Sequence, residues 1–561
     1  MSFALSAGVS GLQAHQKMLD IAGNNLANVN TTAFKAKTIN FSELLNETIT
    51  KGTQPTPTIG GTNPQQRGGG VKVAGITSNM SQGNIVTTGN PLDLAIEGQG
   101  YFVANDGARD VYTRAGSFAV DADSYLVDPT NGYHVQRIGS VGEADAFQTA
   151  GNSNIRVPYD VAMAARATSQ VDVAGNLSAD AALTTPATNV LTSTIAYTTG
   201  GGTTAMSTTE LDQLDQFSGT FGALTTITAS GFDPSGNALV DATGLTVTGT
   251  TTLQDVIDHL NNNVLTASEQ VASLVGGKIC ITDANSGYSL SDVALTWADN
   301  GSATLTMPAY FEVSTVGGEA VKYINSTIYD SQGGKHVLSA AFTRTNTINQ
   351  WDMVLTSISG DIDTLTFANR RIRGIEFSPA DGSYSDLNST IGDTAQFQVT
   401  FTNNTANPQT IAINLGTAGQ LDGVTQFAGN STAVARGQDG YEAGNLSTVS
   451  IDNHGTLVGS FSNGIKKDIA TIQIALFQNT TGLESIGGNY FDTSANSGDP
   501  VATQALTGGA GSIHGGALEK SNADVASEFV SMIQAQNGFQ ASARTIRVAN
   551  EILRELAGMV R

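Results

Sequence analysis

The sequence predicts a mainly β protein, in which a multi-domain, β-rich middle lies between N- and C-terminal α-helices. Three observations predict it. Apolar residues recur every seven positions at both ends, with no proline in either end segment. Short runs of β-branched and aromatic residues, separated by Gly, Asp and Asn, fill the middle. Charged residues make up only 13% of the 561, against about 25% in an average globular chain, and 63 residues are glycine, as strand-and-turn structure requires. At the usual domain size this length leaves room for roughly three or four domains.

At the N-terminus, Leu5, Val9, Leu12, Gln16, Leu19, Gly23 and Leu26 alternate spacings of four and three, the period of a coiled-coil seam. The same spacing runs through Val525, Phe529, Met532, Gln536, Phe539, Ala543, Ile546, Asn550, Leu553, Ala557 and Val560 at the other end. Either helix alone reads as an ordinary amphipathic helix packed on a core. Two of them, at opposite ends of a β-rich chain, point instead to a shared role.

After Phe34 the period is lost. Residues 51–70 combine three Pro with six Gly and read as a loop or an extended arm. Strand patterns begin near Val71 and include LDLAI (92–96), GYFVA (100–104), YTRAGSFAV (112–120) and SYLVD (124–128). They continue to about residue 515, interrupted by one helical stretch, TLQDVIDHLNNNV (252–264). Thr/Gly/Ala tracts at 181–208 mark the edge of an inserted domain.

Charge divides the chain in the same way. Residues 1–35 and 520–561 each carry a net +1, which leaves −25 of the total −23 for the middle. Such an acid balance disfavours non-specific nucleic-acid or anionic-membrane binding. No stretch approaches the roughly 20 apolar residues of a membrane span. The start lacks a basic region, and Ser6, Gly8 and Ser10 break its apolar run, unlike a secretory signal. The chain is expected either to stay in the cytoplasm or to be exported by a route without a cleaved signal, with a mature start at Met1 or Ser2.

No catalytic motif emerges. The six histidines are far apart and form no HExxH-type pair. Cys280 is the one cysteine, so neither an intramolecular disulfide nor a thiolate cluster is possible; its place in GGKICITDA predicts a buried, inert thiol in an apolar strand. DADSYLVDPTNG (121–132) has Leu126 and Gly132 where a calcium loop needs Gly and Glu, and reads as a hairpin turn. EGQGYFV has Val103 at the third glycine position of a dinucleotide fingerprint, and GGG at 68–70 lacks the Lys of a phosphate loop. The expectation is a protein that is not an enzyme, with no cofactor and no metal.

Several blocks together resemble the bacterial flagellar axial proteins, the rod, hook and hook–filament junction family. GNNLANVNTTAFK (23–35) is similar to the family's N-terminal motif, and residues 517–561 to its matching C-terminal helix. PLDLAIEGQGYFVA (91–104) and YTRAGSFAVDADSYLVD (112–128) resemble its first β-domain. Residues 440–464 and 474–498 resemble the returning half of that domain in hook members, and NPQTIAINLG (407–416) a second domain. The block around 251–296 resembles an insertion in longer members. Two positions depart from the pattern: Ala33 stands where the family often has glycine, and Ser124 where it has DADG. If those glycines serve positive φ, each replacement costs roughly 1 kcal/mol.

The resemblance implies a structural subunit of the flagellar hook, polymerising into a curved hollow tube that acts as a universal joint between rod and filament. It implies that the two terminal helices form a coiled-coil-like inner domain and contact neighbouring subunits through Leu5, Val9, Leu12, Leu19, Asn24, Asn25, Leu26, Asn28, Asn30, Phe529, Met532, Gln536, Phe539, Ile546, Asn550 and Leu553. Polar residues in such a seam cost stability but fix register and partner choice. The implied domains are 1–35 with 520–561 (inner helices), 36–70 (extended arm), 71–170 with 441–515 (inner β-domain), 171–190 with 318–440 (outer β-domain) and 191–317 (inserted outer domain). Deletion of residues 200–315 is expected to leave a chain that still folds and assembles. Implied partners are further copies of the chain, the distal rod protein, the hook cap, the hook–filament junction proteins and the export apparatus, with no nucleic acid and no membrane. The implied location is extracellular, in the flagellar hook and basal body. A distal rod protein is the nearer alternative; a secreted carbohydrate-binding or hydrolytic β-protein would need paired carboxylates at a cleft.

Overall fold

A computed structural model describes residues 3–180, 185–266 and 268–559. Met1, Ser2 and Val560, named above, and residues 181–184 of the low-complexity tract lie outside the described residues. The chain is mainly β, with one long helix near each end, Phe3–Ala27 and Val525–Met559. It divides into two compact units, residues 1–163 with 444–561, and residues 164–443.

In the first unit, the N-terminal helix stops where asparagine competes for its backbone. Asn28 Nδ2 donates to the Asn24 carbonyl at 2.9 Å, and Thr31 Oγ1 to Asn28 Oδ1 at 3.1 Å. Asp524 caps the C-terminal helix, accepting from the Ser527 hydroxyl at 2.6 Å and from the Ala526 and Ser527 N–H groups at 3.2 Å. The Ser527 hydroxyl, followed by those two backbone N–H groups, holds the Asp524 carboxyl below the usual carboxylate range.

The arm expected at 36–70 is a β-hairpin reaching to Ser78. Strand Lys37–Glu43 pairs antiparallel with Val71–Ser78, and Glu47–Thr50 with Gln65–Arg67. Pro55, Pro57 and Pro64, which cannot donate to a ladder, are confined to the tip. Val71 therefore closes the hairpin and does not open the inner β-domain.

Both halves of the sequence build the main sheet of this unit. Tyr101–Asn105 lies between Asp110–Thr113 and His134–Val135, while Ile474–Leu476 and Tyr490–Asp492 return to pair with Tyr101–Asn105 and Asp110–Thr113. Tyr101 and Tyr112 meet Phe477 edge-on, with ring centroids 5.8 and 4.9 Å apart. The 121–132 stretch turns as expected: Ala119–Val120 pairs with Leu126–Val127, and Ser124 has φ 66°.

The second unit begins at Ala164 and ends at Ala443. Strand Gln170–Ser178 pairs with Gln409–Asn414, Val424–Phe427 and Val434–Gln438, and belongs to this unit throughout. Its core centres on Trp351, Phe342, Phe397 and Ile411. Ala187 and Gly318 exchange backbone hydrogen bonds of 3.1 and 3.4 Å, bringing the ends of the intervening segment together. Within that segment, the helix Leu253–His259 starts with a capping box, in which Thr252 and Asp255 each bond the other's backbone. Leu191, Val256, Ile281 and Phe311 form its core, joined by Ala341 and Val354 from the neighbouring five-stranded sheet. Cys280 is a correction: strand alternation turns Ile279 and Ile281 inward and leaves the thiol half-buried, 3.8 Å from Thr192 Oγ1.

Candidate functional site

The terminal helices pack antiparallel, and the residues between them are small. Gly8, Gly11, Ala14, Ala22 and Asn25 are buried on one helix, Ala535 and Ala549 on the other. A methyl added at Gly8 would lie 3.0 Å from Ile546 Cγ1, and one at Gly11 2.9 Å from Ser542 Oγ. At Gly538 it would lie 2.4 Å from the His15 ring. Close approach thus comes from missing side chains, and many of the larger apolar residues stay partly or largely exposed.

Of the sixteen residues expected to contact neighbouring subunits, Val9, Leu19, Asn24, Asn30, Phe529, Gln536, Phe539, Asn550 and Leu553 are exposed. Leu5, Leu12, Leu26, Asn28, Met532 and Ile546 are half-buried. Asn25 is a correction. Fully buried, it accepts from the Lys37 N–H at 2.9 Å and donates to the Lys37 carbonyl and Glu528 Oε1 at 2.8 and 2.9 Å. Its amide joins the helix end, the hairpin root and the C-terminal helix, and lies inside the single chain. Asn28, half-buried, bonds its own helix end.

Beyond the expected set, Val530, Ile533, Val548, Ile552, Leu556 and Met559 are exposed, more than half of each surface in every case. Together with Phe529 and Leu553 they leave a series of apolar side chains uncovered along the C-terminal helix, interspersed with exposed polar and charged ones such as Gln536, Arg547 and Glu551. An exposed apolar surface of this extent marks a protein-contact site. On the N-terminal helix, a groove of about 550 Å³ lies beside Phe3, Leu5, Val9 and Gly69.

Sequence reasoning missed the residues that anchor the pair. Lys35 Nζ lies 2.6 Å from Glu519 Oε1 and donates to the Ser81 carbonyl at 2.8 Å. Glu519 also accepts from the Gly83 N–H at 2.8 Å and faces Arg114 Nη1 at 3.4 Å. Arg114 Nη2 donates to the Gly98 carbonyl at 2.6 Å. Burial lowers the Lys35 pKa, Glu519 opposes that shift, and Arg114 adds to it. The available signal was position: Lys35 is the one charged residue of the 23–35 motif, and Glu519 ends a run from Val501 that otherwise holds no Asp, Glu, Lys or Arg.

Among the described residues, no group of three His, Cys, Asp or Glu is placed to hold a metal ion, and no helix is long and apolar enough to cross a membrane. Four histidines face single carboxylates, as His259 faces Asp241 at 3.2 Å.

Four family descriptions match successive parts of the chain. They are the flagellar basal body rod protein (residues 5–35), the flagellar hook protein FlgE/F/G D1 domain (95–179), the flagellar basal body protein FlaE D2 domain (300–441) and the flagellar basal body rod FlgEFG protein C-terminal region (514–559). The chain is 30% identical over 557 residues to the flagellar hook protein FlgE of Treponema pallidum, covering 99% of this chain and 98% of that one. It is 29% identical over 574 residues to FlgE of Borreliella burgdorferi, covering 99% of each, and 26% identical over 558 residues to FlgE of Escherichia coli, covering 99% and 100%. Among solved structures, the Helicobacter pylori flagellar hook protein FlgE2 aligns with TM-score 0.40 and 18% identity, over 76% of this chain and 99% of that one.

Proposed function

This chain belongs to the flagellar hook protein family, and from that premise we propose that it builds the hook by self-association through its paired terminal helices. It is a structural subunit of the bacterial flagellum. The observation that carries the proposal is the uncovered apolar surface of the Val525–Met559 helix, which the chain's own N-terminal helix leaves largely in water. Stacked copies would cover it and line a hollow, curved tube that transmits torque while bending. The acidic middle would lie outside, where mutual repulsion keeps subunits soluble and able to slide. The domain plan belongs to the same proposal, with residues 187–318 as the inserted outer part. So do the contacts to rod, cap and junction proteins and an extracellular position reached through the export apparatus without a cleaved leader, for which N-terminal sequencing of exported protein is the check.

Phe539→Asp tests the central claim. Phe539 lies on the terminal helix, 37% exposed, and joins none of the described core clusters of the β units, so the change should leave their melting nearly unchanged. In the tube it would bury an unpaired carboxylate in every subunit, at a cost of several kcal/mol each. The expected result is a folded, soluble variant that forms no tube by negative-stain microscopy. A variant that assembles normally would refute assembly through this face.

A further inference from the structure

We propose that Lys35, Arg114 and Glu519 form a two-ended clasp, which seats the terminal helices on the β body only when both ends of the chain are in place. Lys35 follows the N-terminal helix and Glu519 precedes the C-terminal one, while Arg114 belongs to the β body. The Glu519 side chain is fully buried, that of Lys35 is 2% exposed and that of Arg114 6%. One carboxylate therefore serves two cations out of water, and each charge depends on the others for compensation.

The backbone is shared in the same way. The Ala33 N–H donates to the Glu519 carbonyl at 2.8 Å, and the Asn522 N–H to the Phe34 carbonyl at 3.2 Å. Asn522 Oδ1 accepts from the Ala36 N–H at 2.7 Å, while its Nδ2 donates to the Asn79 and Ser81 carbonyls at 2.8 and 3.0 Å. If the C-terminal segment is removed, Lys35 and Arg114 lose their shared carboxylate. If the N-terminal one is removed, Glu519 keeps Arg114 and the Gly83 N–H but loses its closest cation. In both cases several backbone groups lose their partners. Neither end has a satisfied seat alone, so the two order together. Lys35, Arg114 and Glu519 are positioning residues: their side chains are buried within the chain, and they act by fixing where the helices start. The consequence for assembly rests on the reading that these helices carry it. A subunit with only one end in place presents no complete assembly face.

Hydrogen exchange on the full chain tests the clasp. Glu519→Gln keeps the shape and removes the countercharge. Amide protection at residues 20–34 and 521–532 should fall by roughly 30-fold or more, by similar factors at both ends, while strand Tyr101–Asn105 changes little. Adding Lys35→Met to Glu519→Gln should restore part of that protection, because it removes one of the two uncompensated cations. A role in packing alone predicts a further loss. Should Glu519→Gln melt the β body, Lys35→Met alone repeats the test, since Glu519 then keeps Arg114 and the Gly83 N–H. Loosening of one end only, or a further loss in the double variant, would overturn the clasp. If both ends loosen as expected and tubes still form normally, the clasp stands and helix-driven assembly falls. If Phe539→Asp blocks tubes and Glu519→Gln leaves exchange unchanged, the reverse holds.

Discussion

Ala33 and Ser124 both hold left-handed backbone, with φ of 56° and 66°, a conformation that glycine adopts without steric cost. The cost of that conformation, about 1–2 kcal/mol, exceeds the roughly 0.5–1 kcal/mol of chain entropy a glycine loses on folding. Ser124→Gly should therefore stabilise its unit by about 0.5–1 kcal/mol, a rise of roughly 1–2 °C in calorimetry. Ala33 is 2% exposed, and its methyl contributes about 0.8 kcal/mol of burial that glycine forfeits. Ala33→Gly should come out within about 0.5 kcal/mol of neutral. Asp330 gives a pH signature in the other unit. Burial pushes its carboxyl up, but Asn403, the Gly334 N–H, His336 and the Gln332 N–H together hold it below the ordinary range. The unfolded chain then binds the extra proton between the two pKa values. The stabilisation is complete above about pH 4 and is lost as pH falls through the folded value. Asp330→Asn should cost roughly 1–3 kcal/mol at pH 7, with the deficit shrinking in melts taken toward pH 3.

At the scale of elements, both terminal helices could be read from a seven-residue period without proline, and so could the capped helix at 252–264. The side of each helix that meets the other could not. A repeat defines a stripe of larger residues, and the obvious expectation sets stripe against stripe. The chain instead sets glycines of one helix against side chains of the other, Gly8 against Ile546, Gly11 against Ser542 and Gly538 against His15, because backbones approach closely only where one side chain is absent. Gly538→Leu should raise the intrinsic helicity of its segment by about 0.8 kcal/mol while driving side-chain bulk into the His15 ring. The expected outcome is a retained helical circular-dichroism signal, with protease cleavage appearing in both terminal helices. Unchanged protease resistance would count against the close glycine contact.

At the scale of the whole molecule, deletion of residues 200–315 should behave differently from the expectation drawn from sequence. The deleted stretch contains Tyr310, whose hydroxyl bonds the Ile358 backbone at 3.0 and 3.2 Å inside the outer unit's own core. It also removes Asp292 and the Phe311 carbonyl, the acceptors of the fully buried Arg370. Leaving that guanidinium without partners costs about 3–5 kcal/mol, beyond the core lost. Calorimetry should show the outer unit's transition abolished and that of residues 1–163 with 444–561 retained. Survival of both transitions would restore the simpler picture of a dispensable insert.

The sequence by itself determined the helices at the ends, the strands between them, the turn at 121–125 and the kinship with flagellar axial proteins. Each is written in a local period, a turn chemistry or a contiguous motif. Only the tertiary structure decided that Asn25 is an internal pin, that the arm is a hairpin, that Tyr310 reaches across into the outer core, and that Lys35, Arg114 and Glu519 share one buried site. Those facts depend on pairings across tens to hundreds of residues. Local pattern specifies which face of an element is apolar, but the partner that covers that face, or compensates a buried charge, is chosen by the packing of the whole chain.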